Sequence, residues 1–411
     1  MPTAARTATD PAAAPAVPAA LARSPLNGWL AVIAVMLGIF SIVTTEILPI
    51  GLLTAIAADF RVSDGTAGLM MTLPGLLAAG AAPTVTVATA RIDRRLMLCA
   101  FLALLTLANL LAAVAPAYWL VLLSRVLVGV VIGGFWSIGA GLAERLVPAE
   151  SAGRATAVIF SAVPLGSVIG VPAGTFLGNL AGWRTACAVV GALSLGVLVL
   201  MALVSPSLPA VRATGAALLR GTLRGVHTRF ALLMTFLVVL AHFAAYTYVT
   251  PFLEQVTHVA SAGPITVFLL AYGVAGIAGN FLGGGMVARC PRTVFGAAAG
   301  LLALATLLLP VLGRGERGAL VLLVVWGIAY GAVPVASQTW FAKAAPAAPE
   351  AASVLFTASF QATLSLGALT GGMVVDRTSP STVMALGGAT AVLVVLAAWL
   401  HRAKRMEWPR S

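Results

Sequence analysis

The chain has 411 residues, of which 60% are hydrophobic and only 9% charged, and its mean hydropathy is +1.04. A soluble domain carries roughly a quarter charged residues and must dress its surface in polar groups, so this composition excludes a water-soluble globular protein and makes lipid the fitting solvent. The net charge of +12 would suit nucleic acid only if the basic residues formed a face; they sit instead in short clusters between apolar runs, so the bilayer is the expected partner and nucleic acid is not.

In chain order, residues 1–28 are rich in Ala and Pro and carry only Arg6, Asp10 and Arg23 as charges, which predicts a disordered cytoplasmic tail with no signal-peptide core. A membrane span needs roughly 20 mainly apolar residues whose backbone is satisfied within a helix. Twelve segments qualify: Trp29 to Leu53, Gly65 to Thr89, Leu96 to Val114, Trp119 to Leu142, Ala155 to Leu180, Thr185 to Val204, Phe230 to Glu254, Pro264 to Val287, Thr293 to Leu312, Ala319 to Phe341, Ala352 to Val375 and Thr382 to Leu400. The expected fold is therefore an all-α membrane protein with 12 transmembrane helices, divided into a first bundle (29–204), a cytoplasmic linker (205–229), a second bundle (230–400) and a cytoplasmic tail (401–411).

Cytoplasmic loops retain positive charge. Of the 24 basic residues, 18 fall on the side of the two termini and five, Arg61, Arg184, Arg314, Arg317 and Arg377, on the other, while Arg125 lies inside a span. Both termini are expected in the cytoplasm. All basic residues but Lys343 and Lys404 are arginine, a bias that with the abundant Ala and Gly suits a GC-rich bacterial genome. The linker arginines Arg212, Arg220, Arg224 and Arg229 are read as a solvated segment obeying the charge rule, with anionic lipid headgroups as the alternative partner. Cys99, Cys187 and Cys290 lie far apart with no CxxC, so neither a disulfide framework nor a metal site is expected.

The halves repeat. A shift of 198 residues sets Gly129 on Gly327, Gly133 on Gly331, Arg145 on Lys343 and Pro148 on Pro346; a shift of 201 sets Gly166 on Gly367 and Gly170 on Gly371. Parallel repeats of this kind build a central site between two bundles.

Glu46, in Thr44-Thr45-Glu46-Ile47-Leu48-Pro49, is the one acid well inside a span. A carboxyl there costs several kcal/mol unless it is paired or protonated, and its protonation responds to whatever else occupies the site. Arg125 is the one mid-span cation, and both residues are expected about 10 Å deep from the outer ends of the first and fourth spans. They make either a switchable pair beside a substrate path or a static pair that fixes helix packing. His242 is a second titratable candidate, against the reading of a neutral core histidine. Phe135, Trp136, Tyr246, Tyr248, Trp326, Tyr330 and Trp340 offer flat rings to a planar substrate, with core packing or interfacial anchoring as the alternative. Gln338, Gln361, Asn109 and Asn280 offer hydrogen bonds to a substrate or simply to a neighbouring helix. Glycines at every fourth position in Gly166-Ser-Val-Ile-Gly170-Val-Pro172-Ala-Gly174 permit close helix approach, and the proline bends the ladder. With four histidines and no HExxH, acidic pair or Ser/His/Asp set, an enzyme is not expected; neither are a channel's charged rings or filter present.

The glycine and proline run of the fifth span resembles the antiporter motif of the major facilitator superfamily, in its twelve-span drug:proton antiporter branch. Arg125 followed by Gly129 is similar to the Arg motif of that family's fourth helix, and Arg91-Ile-Asp93-Arg94-Arg95 to its gating loop, with Ala90 standing where the family carries an acid. Thr45 to Leu53, Gly133-Gly134-Phe135-Trp136, Gly178 to Arg184 and Trp326 to Trp340 resemble purine ribonucleoside efflux pumps and sugar efflux transporters. The resemblance implies the major facilitator fold of two pseudo-symmetric six-helix bundles, lined centrally by the first, fourth, seventh and tenth helices. It implies proton-coupled efflux of a small solute by rocker-switch alternating access, purine nucleoside first, with sugar or multidrug export as alternatives. Glu46, Arg125 and His242 would couple protons, Phe135, Trp136, Tyr246, Tyr330, Gln338 and Gln361 would hold substrate, and Asp93, Arg94 and Arg95 would gate. No cofactor is expected beyond the proton gradient, and a monomer in the bacterial inner membrane is the expected working form.

Overall fold

The structure is a computed structural model that describes residues 25–89, 92–139, 142–209, 221, 223, 225–259, 262–287, 290–344 and 349–403. Arg91, Ala90, Arg212, Arg220, Arg224 and most of both expected tails lie outside the described residues. Among those described, every regular element is helical, and twelve helices are long and apolar enough to cross a membrane. The third, fourth, sixth, eighth, ninth and twelfth are Arg94–Ala113, Tyr118–Gly139, Trp183–Val204, Ala262–Val287, Pro291–Leu312 and Pro380–Ala403. The first (Pro25–Phe60), tenth (Glu316–Ala344) and eleventh (Pro349–Arg377) are longer than the hydropathy alone suggests.

Three spans are broken, and two breaks lie just before a proline. The seventh divides into Val226–Tyr246 and Val249–Gln255, and Pro251, lacking an N–H, clashes with the turn that contains Thr247. The fifth runs Ala149–Leu165, widens into a π-turn at Gly166–Gly170 and resumes at Val171–Ala181, with Pro172 just past the widening. The second is split into Asp64–Ala67 and Leu69–Ala88; Ser63 caps the short piece by accepting from the Thr66 amide at 3.1 Å.

The internal repeat is a packing repeat. A Cβ on Gly129 or Gly133 would meet the Pro74 or Ala78 carbonyl of the second span at 2.5 or 2.7 Å, and one on Gly327 or Gly331 would meet the Tyr272 or Gly276 carbonyl of the eighth at 2.3 or 2.0 Å. Likewise Gly166 and Gly170 press on Val43 and Thr44 of the first span, as Gly367 and Gly371 press on Ala244 of the seventh. Each half thus closes the same helix pairs through the same small residues, which lets backbones approach where lipid supplies no hydrophobic drive.

Burial ranks the spans. The first and seventh are 67% buried along their apolar windows and the sixth and twelfth only 33%, so the former pair is central and the latter peripheral. One core lies within the first half around Ile39, Phe101 and Phe135, and a second within the second half around Phe252, Phe295 and Trp326. A third mixes Leu52 and Met70 with Tyr248 and Val383 and so joins the halves. Phe281, Leu203 and Val114 are at least 74% exposed, which in water would leave large apolar surfaces unburied and in lipid costs nothing.

The end of the fifth span turns into the sixth at Gly182, whose φ of +87° belongs to glycine. Beyond it, Trp183 donates to Asp59 Oδ2 at 3.0 Å and Arg184 pairs with the same carboxylate, its guanidinium 4.4 Å from the Trp183 ring centroid. Gly182→Ala is expected to cost about 1–3 kcal/mol through backbone strain alone, read as a lower melting temperature in detergent. An unchanged melting temperature would show that the turn relaxes without a left-handed residue.

Candidate functional site

One turn of the first span, Thr44-Thr45-Glu46, meets four other spans. Thr44 faces Gly170 of the fifth, where an added Cβ would lie 2.2 Å from its hydroxyl. The Thr45 hydroxyl accepts from Asn109 Nδ2 of the third span at 3.0 Å, and the Thr45 carbonyl accepts from Arg125 Nη1 of the fourth at 2.7 Å. Glu46, only 6% exposed, meets the Gln361 side chain of the eleventh span, with Arg125 and the Tyr330 phenol within electrostatic reach. Arg125 is thus held by a backbone carbonyl and makes no direct ion pair with Glu46.

Seven buried side-chain polar atoms among the described residues lack a hydrogen-bond partner: Thr44 Oγ1, Glu46 Oε1, Arg125 Nε, Tyr330 Oη, Ser337 Oγ, Ser359 Oγ and Gln361 Oε1. They fall on the first, fourth, tenth and eleventh spans alone. An unpaired buried polar atom costs about 1–3 kcal/mol, so such a concentration marks a place where polarity is retained for a purpose other than stability.

Behind Tyr330 lies an aromatic stack. His242 is 3.3 Å from the Tyr330 ring centroid at an interplanar angle of 8°, Tyr246 stacks on its other side at 5.0 Å, and Tyr272 follows Tyr246 at 4.4 Å. Trp326 runs edge-on to these rings and donates from Nε1 to His242 Nδ1 at 3.1 Å. A nitrogen that accepts carries no proton, so His242 is the neutral core histidine rather than a free proton carrier in this state.

The remaining expected substrate residues divide. Trp136 is half-buried and tilted against Phe160 at 6.2 Å. Phe135 is fully buried against Gly38 within the first-half core, so it lines no cavity here, and Gln338 is exposed. Trp340 packs on Phe295 and Phe230 in the second-half core. Trp119, 62% exposed, fits an interfacial anchor. In the antiporter motif, Gly174 meets Leu48 and Gly170 meets Thr44, so the motif brings the fifth span onto the Glu46 turn, while Pro172 sits buried beside the π-turn.

On the face opposite the termini the halves are bound together. Thr250 Oγ1 donates to the Ile50 carbonyl at 2.7 Å and Thr54 Oγ1 to Glu254 Oε1 at 3.0 Å; both pairs are 200 residues apart, so repeat mates touch along the pseudo-twofold axis. Asp376 accepts from Ser63 Oγ at 2.7 Å and from the Gly65 amide at 2.8 Å, and Gln255 donates to Asp64 at 3.0 Å. Sequence reasoning missed Asp376, Tyr272 and the glycines Gly65, Gly68 and Gly75. The last three carried a signal, glycines spaced three and seven residues apart, but the first half does not explain them because their near neighbours lie mainly in the other half.

The expected gating residues hold the linker instead of the second half. Asp93 caps the third span at the Arg95 amide (2.8 Å) and accepts from the Ser207 hydroxyl and the Leu208 amide (3.0 Å). The Arg94 amide donates to the Leu208 carbonyl at 2.9 Å, and Arg145 Nη2 to the Pro209 carbonyl at 2.7 Å. Arg95 reaches the Ala202 carbonyl. Partial burial opposes the charge on Asp93, yet the hydrogen bonds from Ser207, Leu208, Arg95 and Leu96 outweigh it and hold the carboxyl below its ordinary range. The stabilisation is then present above about pH 3.9 and is lost as pH falls through the lowered folded value. Asp93→Asn is expected to raise amide exchange at Leu208 about tenfold at neutral pH; equal exchange would show that the linker is held by other contacts.

The family model described as the Major Facilitator Superfamily matches residues 28–354. The chain belongs to this superfamily. Among its relatives, "Transcription regulatory protein OpdE" of Pseudomonas aeruginosa is 35% identical over 91% of this chain and 93% of its own length. "Purine ribonucleoside efflux pump NepI" of Salmonella paratyphi B is 33% identical over 90% and 92%. A bacterial homologue of the human lysosomal transporter Spinster, solved inward-facing and occupied, shares the fold at 18% identity with a TM-score of 0.76, covering 95% of this chain and 99% of its own. A POT family transporter in complex with 5-aminolevulinic acid gives 0.75 at 12% identity, over 94% and 98%. The protein is thus a multi-pass membrane transporter of the major facilitator superfamily with efflux pumps among its relatives.

Proposed function

We propose that this major facilitator protein is a proton-coupled antiporter of the bacterial inner membrane that exports a small polar aromatic solute, purine nucleosides first, by rocker-switch alternating access. The observation that carries the reading is the Glu46 carboxyl, buried between the halves with Oε1 unpartnered and surrounded by the unpartnered groups of Thr44, Arg125, Tyr330 and Gln361. Hydroxyl and amine groups of a solute would satisfy those atoms, and its flat ring would stack on the face of Tyr330 not covered by His242. A proton on Glu46 and a solute donor compete for the same oxygen, which is the exclusion that antiport needs.

The efflux direction and the nucleoside are supported by the purine ribonucleoside efflux pumps among the relatives. The orientation with both termini in the cytoplasm is supported by the 18 to 5 imbalance of basic residues. The proton gradient supplies the energy without a bound cofactor, and the monomer is the working unit. The test loads proteoliposomes with labelled inosine, xylose or a cationic dye and follows solute loss and internal pH together. Inosine loss coupled to proton entry is the expected result; sugar or dye loss alone would move the protein to the sugar or multidrug exporters, and retention of all three would remove the efflux reading.

A further inference from the structure

We infer that Gln361 is the residue through which protonation of Glu46 holds the two halves together. The inference rests on the proton-coupled reading above and assigns a residue-level device to it. Glu46 belongs to the first half and Gln361 to the second; each is 6% exposed, and the two side chains lie within reach of one another. Gln361 stands where the halves are tightly packed, for its backbone carbonyl lies 2.6 Å from where a Cβ on Gly75 of the second span would be. Each of the two side chains keeps one oxygen, Glu46 Oε1 and Gln361 Oε1, buried without a partner.

Both of those oxygens accept hydrogen bonds and neither can donate, so an ionised Glu46 takes one N–H from the Gln361 amide and leaves two acceptors unsatisfied. One added proton resolves both. The O–H of a neutral Glu46 donates to Gln361 Oε1 while the Gln361 N–H donates to the other carboxyl oxygen, and the acid and the amide close into a two-bond pair across the interface. A proton arriving at Glu46 therefore ties the eleventh span to the first and favours the arrangement in which the opposite face is closed. A solute that takes the place of the amide dissolves the tie.

The other groups around Glu46 do not duplicate this. Arg125 of the fourth span, with Tyr118 and Cys187 within electrostatic reach, spends Nη1 on the Thr45 carbonyl and makes no ion pair with Glu46. Tyr330 of the tenth span lies within electrostatic reach, and His242 of the seventh is stacked behind it with Nδ1 already accepting. Asn109 of the third span is committed to Thr45 and Leu105, and the fifth span presents Gly170. The unpartnered Tyr330 hydroxyl has one oxygen for both roles, whereas Gln361 brings its donor and its free acceptor on separate atoms from the opposite half, as a two-bond pair requires.

The experiment follows closure of the opposite face against pH. Donor and acceptor dyes are attached at Val114→Cys and Leu312→Cys, exposed positions at that end of the two halves, in full-length protein with Cys99, Cys187 and Cys290 replaced by serine. In nanodiscs from about pH 5.5 to about pH 8.5, the closed fraction is expected to rise on acidification. Glu46→Gln, whose amide makes the same two-bond pair, is expected to stay closed at every pH. Gln361→Met keeps the length and loses the amide; its closure midpoint is expected to move by about one pH unit towards acid, a tenfold change in the proton concentration required.

Gln361→Leu serves if the methionine variant does not elute as a single species. A closure curve unchanged in either variant, or no pH dependence in the parent protein, overturns the inference. Solute-driven proton entry in proteoliposomes of the parent protein keeps the two ideas apart. Its absence ends the antiporter reading, whereas its presence with an unchanged Gln361→Met curve ends only the role of Gln361.

Discussion

Glu46→Gln is expected to abolish uphill export, lowering proton-driven transport by at least about 100-fold while solute binding stays within about tenfold of the parent protein. The amide occupies the same volume between Thr45 and Ile47, still faces the Gln361 side chain and stands as a carboxyl that never loses its proton. The cycle would then stop at the step in which the proton leaves. Downhill exchange of labelled for unlabelled solute needs no proton release, and saturating solute takes the place of the amide and opens the pair that holds the solute-free variant closed, so exchange should persist at a measurable rate. The check is a pair of proteoliposome assays on one preparation, counterflow and proton-driven efflux. Retention of both would place the coupling elsewhere, and loss of both would make Glu46 a substrate contact only.

Much of the fold is legible in the sequence because the bilayer leaves few choices. Twelve apolar runs became twelve spans, and the glycine pairs separated by 198 and 201 residues became contacts between equivalent helices in the two halves. Helix ends were harder, since the polar ends of the first and tenth spans continue a helix beyond what hydropathy alone can register.

At the site, Glu46 and Arg125 were legible as lone charges in oil, and the structure puts them on adjoining helices. Their relation was not, because Arg125 answers to the Thr45 carbonyl, and backbone acceptors leave no mark in a sequence. His242 looked titratable until its Nδ1 was found accepting from Trp326. Phe135 shows the same limit from the apolar side: a ring next to Trp136 points into the core of its own half because helix neighbours point about 100° apart.

The gate glycines carry the second large expectation. A Cβ on Gly75 would come to 2.3 Å from Ser365 Oγ and 2.6 Å from the Gln361 carbonyl, and every near neighbour of that position is in the second half. Gly65 is placed in the same way against Gly372 and Asp376, whereas Gly129 and Gly133 press on their own half. Gly75→Leu therefore leaves the folding of the first bundle untouched, and even improves the helix propensity of the second span by about 1 kcal/mol, while making the closed interface unattainable. The variant is expected to lie open on the face opposite the termini at all pH values, with transport reduced at least about 100-fold in either direction.

Gly129→Leu, by contrast, should lower the melting temperature, because its Cβ would strike the Pro74 carbonyl inside one bundle. Dye distances between Val114→Cys and Leu312→Cys, read beside thermal unfolding, separate the two outcomes. If Gly75→Leu transports normally, the second and eleventh spans must part by sliding rather than by opening, and the rocking motion proposed for this protein would have to give way to a shear.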